Sequence, residues 1–151
     1  MDILRKVSIF TDLNEEELKR LSEIATQKSF HPEQKIFSEG ETGDGFYIIS
    51  EGKVRISIIL PGIGEELLAL LRKNSHFGEM AMIEDKPRSA SAIADTDVTC
   101  YFFEKNKFNE FISKNKETEN KILWGFLKEI SARLRRTDNK LKEILLLIKS
   151  F

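Results

Sequence analysis

The chain has 151 residues, 40% hydrophobic and 32% charged, and its 24 basic and 25 acidic side chains leave a net charge of −1. That length is enough for one unstapled core, and the charge balance supplies no overall field toward nucleic acid or membrane. The single cysteine, Cys100, excludes an internal disulfide framework and any multi-cysteine zinc or iron–sulfur site.

The first helix is announced at Asn14, an N-cap residue with Glu17 three positions on as a capping-box partner. Leu13 and Leu18 occupy the positions of a hydrophobic staple, and Leu18, Leu21, Ile24 and Ala25 follow at helical spacing. Ile3, Leu4, Val7 and Phe10 before it read as a short lead-in, and His31-Pro32 stops anything helical. From about residue 26 to 103 the pattern changes to short strands and glycine turns. Ile36-Phe37, Phe46 to Ile49, Val54 to Leu60, Leu67 to Leu71, Ala90 to Ala94 and Val98 to Phe103 are strand-like, which suggests an antiparallel sandwich or barrel. After Phe103 the chain is helical again. Lys107 to Ser113 carries Phe108, Phe111 and Ile112 on one side. A continuous pattern then runs from about Thr118 to Lys149, and ~30 helical residues would reach about 45 Å, longer than the domain needs. No boundary splits the chain. Residues 1–25 form an N-terminal helical part, 26–103 a β region and 104–151 the C-terminal helices.

Little here carries catalysis, and no enzyme activity is expected. His31 and His76 lie far apart with no companion ligand spacing, and Cys100 sits inside an apolar strand as an inert thiol. The cluster Gly40, Gly43, Gly45 precedes a strand, not a helix, and so reads as turn glycines rather than a phosphate loop. No apolar run reaches the ~18 residues of a membrane span, and Met1 to Lys6 lacks a signal-peptide layout. A cytoplasmic protein is expected.

One segment has a chemical signature, Phe77-Gly78-Glu79-Met80-Ala81 followed after five residues by Pro87-Arg88-Ser89-Ala90. Gly78 permits close backbone approach, Glu79 to Ile83 can form one helical turn, and Pro87 ends that turn. Arg88 offers a rigid fork of donors for phosphate oxygens, and Glu79 an acceptor for a sugar hydroxyl. Together they favour a monoanionic phosphate bearing a ribose; the plainer alternative is a surface Glu–Arg pair flanking a turn.

The segment resembles the phosphate-binding cassette of cyclic nucleotide-binding domains, and every position of that cassette is filled. The turn pattern of Gly40, Gly43, Asp44 and Gly45, then Tyr47-Ile48-Ile49 and Gly52-Lys53-Val54, fits the same family. The likeness extends over essentially the whole chain and is close to the ligand domain of Crp/Fnr regulators, catabolite activator protein among them. It implies a mainly β fold with flanking helices, an eight-stranded jelly-roll (double-stranded β-helix) with the nucleotide inside. By resemblance Gly78, Arg88 and Ser89 would hold the cyclic phosphate, Glu79 the ribose 2′-hydroxyl, and Met80 and Ala81 the wall. Arg133-Leu134-Arg135-Arg136-Thr137-Asp138 resembles the segment that reaches the base, with Thr137 and Asp138 at the base-reading positions and Arg133 near the phosphate side. Asp138 departs from a serine there. A solvated basic face is the competing reading for Arg133. Serine at position 89 is compatible with cAMP or cGMP, and the resemblance to bacterial activators favours cAMP.

Leu123, Ile130, Thr137 and Ile144, with Leu127, Leu134, Leu141 and Ile148, repeat every seven residues, the pattern of a parallel coiled coil. A homodimer through this helix is expected. The regulators it resembles continue into a DNA-binding domain, whereas this chain ends at Phe151. The expected role is a cyclic nucleotide sensor that signals through the helix to an unknown effector protein, with no DNA binding by this chain alone and no membrane. The alternative is an interaction or dimerisation module of the same fold that binds no nucleotide.

Overall fold

The computed structural model describes residues 2–151. The chain opens with α1 (Asp2–Arg5), a 3-10 turn (Ser8–Phe10) and α2 (Glu15–Glu23). The β region holds β1 (Thr26–Phe30), β2 (Lys35–Phe37), β3 (Gly45–Glu51), β4 (Val54–Leu60), β5 (Gly64–Leu71), β6 (His76–Phe77), the short α3 (Met80–Ile83), β7 (Ser91–Ala94) and β8 (Val98–Glu104). Then come α4 (Lys105–Ser113) and α5 (Lys116–Lys149). The strands form two four-stranded antiparallel sheets, ordered β1-β8-β3-β6 and β2-β7-β4-β5. This is the eight-stranded jelly-roll with flanking helices that the resemblance implied.

The period-two alternation of a strand explains how one sheet serves two cores. On β3, Phe46 and Ile48 face the helices, where they join Leu4, Phe10, Leu21, Phe103, Phe108, Ile122 and Phe126. Tyr47 and Ile49, pointing the opposite way, join Val54, Phe77, Ala92, Cys100 and Phe102 between the sheets. Phe46 stacks on Phe103 with centroids 4.9 Å apart, and Tyr47 on Phe77 at 5.0 Å. Cys100 is fully buried, and burial pushes its thiol up to about 12.

The capping box closes as its spacing requires: Glu17 N–H donates to Asn14 Oδ1 at 2.9 Å, and Asn14 N–H to a Glu17 carboxylate oxygen at 2.8 Å. The same carboxylate accepts from Thr118 Oγ1 at 2.9 Å and Lys121 Nζ at 3.1 Å, so α2 is tied to the start of α5. There α5 also presses on the 3-10 turn. A Cβ on Gly125 would lie 2.2 Å from the carbonyl oxygen of Ile9, so no larger residue fits at this crossing.

Boundaries differ from the sequence reading in particular places. Helix α2 stops at Glu23 with Ile24 as its C-cap, well before Pro32, because residues from Thr26 are drawn into pairing with β8. Strand β5 starts at Gly64, not Leu67, since Glu65 and Glu66 pair with Ile59 and Ile58 despite their charge. Strand β7 starts at Ser91 rather than Ala90, α4 at Lys105 rather than Lys107, and α5 at Lys116 rather than Thr118, with Asn115 as its N-cap.

Candidate functional site

A cavity of about 780 Å³ opens between β5, β6, the segment from Gly78 to Ala90 and the middle of α5. Gly78, Glu79, Met80, Ala81, Arg88, Ser89, Arg133 and Thr137 all line it. Asp138 does not. It follows Thr137 by about 100° round the helix, which turns it to solvent within a single chain.

The local chain path explains the placement. Gly78 ends β6 at φ +80°, a conformation open to glycine and strained for residues with a Cβ, and this turns the chain from strand into α3. A Cβ there would also lie 2.7 Å from Arg88 Nη1. Arg88 sits three residues ahead of β7, in the connection rather than on the strand itself. Its backbone is tied to the glycine turn: its N–H donates to Glu41 O at 2.8 Å, and its carbonyl accepts from Gly40 N–H at 2.9 Å.

The Arg88 side chain is only 4% exposed. It donates to the carbonyls of Gly78 and Gly45, each at 2.8 Å, and to Asp44 Oδ1 at 3.1 Å, and it lies 4.0 Å over the ring of Phe37. Asp44, the one carboxylate it touches among the described residues, is itself two-thirds exposed. A buried guanidinium with so little anionic compensation is an electrostatic demand for an anion. Among the described residues, three buried side-chain polar atoms have no hydrogen-bond partner: Asn74 Oδ1, His76 Nδ1 and Arg88 Nε. All three belong to residues lining this cavity. Buried polar groups are nearly always paired, so three unpartnered ones among the lining residues mark this region as one that calls for polar partners.

Glu79 is the opposite charge of the site, 4% exposed. It stands at the N-cap of α3 but makes no capping bond. Its carboxylate turns instead to Arg133 of α5, which donates to Oε1, and to His76, whose Nδ1 lies 3.4 Å from Oε2. That last separation lies outside the geometry of a hydrogen bond. Burial works against ionisation of Glu79, yet His76 and Arg133 more than offset it and hold the carboxyl at about 2. The site therefore presents a fixed positive fork and a fixed carboxylate in one cavity, complementary to a group that is anionic at one end and hydroxylated at the other. Arg133 is not a merely solvated charge, because it bridges α5 to that carboxylate. Met80 is half-exposed at the mouth, Ala81 is buried, and Thr137 spends its hydroxyl on the carbonyl of Arg133 at 3.0 Å.

Sequence reasoning missed His76, Asn74 and the role of Asp44. His76 has no metal-ligand partner in the sequence; its position three residues before Glu79 is the available signal. Asp44 meets Arg88 across 44 positions of chain, which no local spacing reveals. Among the described residues no group of acidic, histidine or cysteine side chains is arranged to hold a metal, and no helix is long and apolar enough to cross a membrane.

Residues 27–115 match the sequence pattern of the cyclic nucleotide-binding domain family. The chain belongs to that family. It is 33% identical over 141 residues to human cGMP-dependent protein kinase 2, covering 92% of this chain but 18% of the kinase. It is 29% identical over 144 residues to the CRP-like cAMP-activated global transcriptional regulator of Mycobacterium tuberculosis, covering 95% of this chain and 62% of that protein. Among solved structures, Thermus thermophilus catabolite activator protein superposes with a TM-score of 0.80 at 26% identity, over 91% of this chain and 62% of that one. The chain thus spans less than two thirds of each of these relatives. The Crp-like resemblance holds for the fold and the sequence, and the family has both cAMP-regulated and cGMP-regulated members.

Proposed function

We propose that this chain is a sensor of cAMP which reports occupancy through α5 to a second copy of itself and onward to an effector protein. The observation that carries the reading is Arg88, a buried guanidinium in the cavity lining with an exposed carboxylate for compensation and an unpartnered Nε. A cyclic phosphate would complete its charge, with Gly78 and Ser89 beside it. Glu79 would accept from the ribose 2′-hydroxyl, Met80 and Ala81 would bound the sugar, and Arg133 and Thr137 would bring α5 to the ligand. Asp138, turned outward in its own chain, would reach a base only across a helix pair. The cavity of about 780 Å³ has room for a nucleotide.

The helix supports the second half of the reading. Leu123, Leu127, Ile130, Leu134, Leu141, Ile144 and Ile148 are all between 43% and 65% exposed, an apolar seam repeating every seven residues that the described residues leave largely uncovered. Thr137 interrupts that seam and also lines the cavity, so ligand binding and pairing share a residue. By linkage each would strengthen the other equally. The apolar end of the helix, Leu145 to Phe151, is the expected contact for the effector.

Titration calorimetry with cAMP and cGMP tests the reading. Saturable binding of cAMP is expected, and Arg88→Ala should weaken it about 10- to 100-fold, since a charge-assisted hydrogen bond contributes roughly 1.5–3 kcal/mol. Absence of binding by the wild type at millimolar nucleotide would leave a dimerisation module of the same fold. A preference for cGMP is the second reading, favoured by the similarity to cGMP-dependent protein kinase 2; the same titration distinguishes it.

A further inference from the structure

We infer that His76 is a positioning residue for ribose recognition: its Nδ1–H holds the Glu79 carboxylate in the orientation that reads the 2′-hydroxyl. The inference rests on the nucleotide reading above and names a residue outside the cassette.

The geometry is specific. His76 is 8% exposed, on a strand of two residues, and its backbone is fixed by pairing with Ile48 of β3. Phe77, the next residue, is fixed by stacking on Tyr47. Gly78 then reverses the chain and returns Glu79 to within 3.4 Å of the imidazole. Among the described residues Glu79 is the one carboxylate within ionic reach of His76. The other charge on that carboxylate comes from α5, where Arg133 takes Oε1.

The chemistry follows from what Nδ1 can be. A deprotonated Nδ1 would set a lone pair against a buried carboxylate oxygen, which is repulsive, so the proton belongs on Nδ1. At 3.4 Å the resulting N–H is poised but not engaged, and Nδ1 is without a hydrogen-bond partner. A small rotation of the carboxylate brings Oε2 onto it. A carboxylate gripped at Oε2 by the strand and at Oε1 by the helix holds its remaining lone pairs in a fixed orientation for an incoming hydroxyl. Arg133 rides on α5, whereas His76 belongs to the sheet. His76 therefore supplies the half of the grip that does not depend on α5.

The test compares cAMP with 2′-deoxy-cAMP on the full chain by calorimetry, in the wild type, His76→Phe and His76→Gln. The wild type should prefer cAMP by about tenfold, one charged hydrogen bond's worth. His76→Phe, which keeps the ring and removes the donor, should lose most of that preference by weakening cAMP while leaving the deoxy analogue within about twofold. His76→Gln, which restores a donor, should recover part of it. A folded His76→Phe protein that keeps the wild-type ratio, or that loses both ligands equally, overturns the inference while the nucleotide reading stands. Wild-type protein that binds neither ligand overturns the nucleotide reading, and this inference falls with it. Should His76→Phe not fold, the ¹⁵N resonances of the wild-type imidazole decide: cAMP must shift Nδ1 toward a stronger hydrogen-bond donor, the deoxy analogue must shift it less, and equal shifts overturn the inference.

Discussion

Over its first turns α5 is held by its own domain, whereas beyond Phe126 none of its residues is buried. Thr118, Ile122, Gly125 and Phe126 lie on one face and enter the helical core, anchored by Glu17 and by the close crossing over Ile9. Leu134, Leu141 and Ile148 repeat just as regularly and stay more than half exposed. Equal apolar periodicity thus has two outcomes within one helix, because periodicity specifies a face and not what covers it. Where the two stretches meet, Arg133 and Thr137 line the cavity. A ligand there would act at the junction between the anchored stretch and the free one.

The sharpest way to break the contrast is Leu134→Glu. It should leave the thermal stability of the domain nearly unchanged and weaken self-association about 100-fold or more, since a leucine is lost and a charge introduced on both copies of the seam. Analytical ultracentrifugation with and without cAMP reads it; a wild type that stays monomeric in both conditions removes the comparison. Gly125→Ala does the reverse. Its Cβ meets the Ile9 carbonyl, so destabilisation of about 1–3 kcal/mol and a midpoint lower by roughly 3–10 °C are expected in calorimetry, with the far seam intact.

A smaller effect concerns Glu17. Burial opposes its charge, but the Asn14 N–H, Thr118 and Lys121 together hold its carboxyl below the usual glutamate value. A lowered folded-state value means that the stabilisation is complete above the unfolded value and is lost as pH falls through the folded one. Denaturant titrations of the wild type should show this loss in acid. Glu17→Gln should be less stable by about 1–3 kcal/mol at neutral pH and lose less between neutral pH and about pH 3. The smallest effect lies at Ser89, where Ser89→Thr should move the cAMP/cGMP affinity ratio a few-fold toward cGMP and Ser89→Ala toward cAMP, about 1 kcal/mol each way. An unchanged ratio in both variants would assign base choice to α5.

What the sequence disclosed was whatever is local. The Asn14–Glu17 box and the cassette from Phe77 to Ala90 are complete within a few residues, so their residue types alone carry the message. Strand β1, Thr26-Gln27-Lys28-Ser29-Phe30, has no apolar alternation and is a strand because β8 offers it a partner. Strand β6 is two residues long, too short for any period. Asp44 and Asn74 were illegible as site residues for a related reason: Arg88 and the cavity give them meaning only after the sheets close, whereas His76 has a local signal in its spacing from Glu79. Asp138 is a different case: likeness in sequence supplies a base-reading role, and within one chain the residue faces solvent rather than the cavity.

The tie between Arg88 and the glycine turn sets a rule for engineering. Arg88 is held by backbone bonds to Gly40 and Glu41 and by side-chain bonds to Asp44 and Gly45, while a Cβ on Gly43 would lie 2.3 Å from that of Ala81. The cassette is therefore half of a two-part component. Residues 77–90 moved alone into another β roll would arrive with their arginine unaimed and their short helix unseated. A portable version must carry residues 40–45 with it, kept as small at position 43 as they are here.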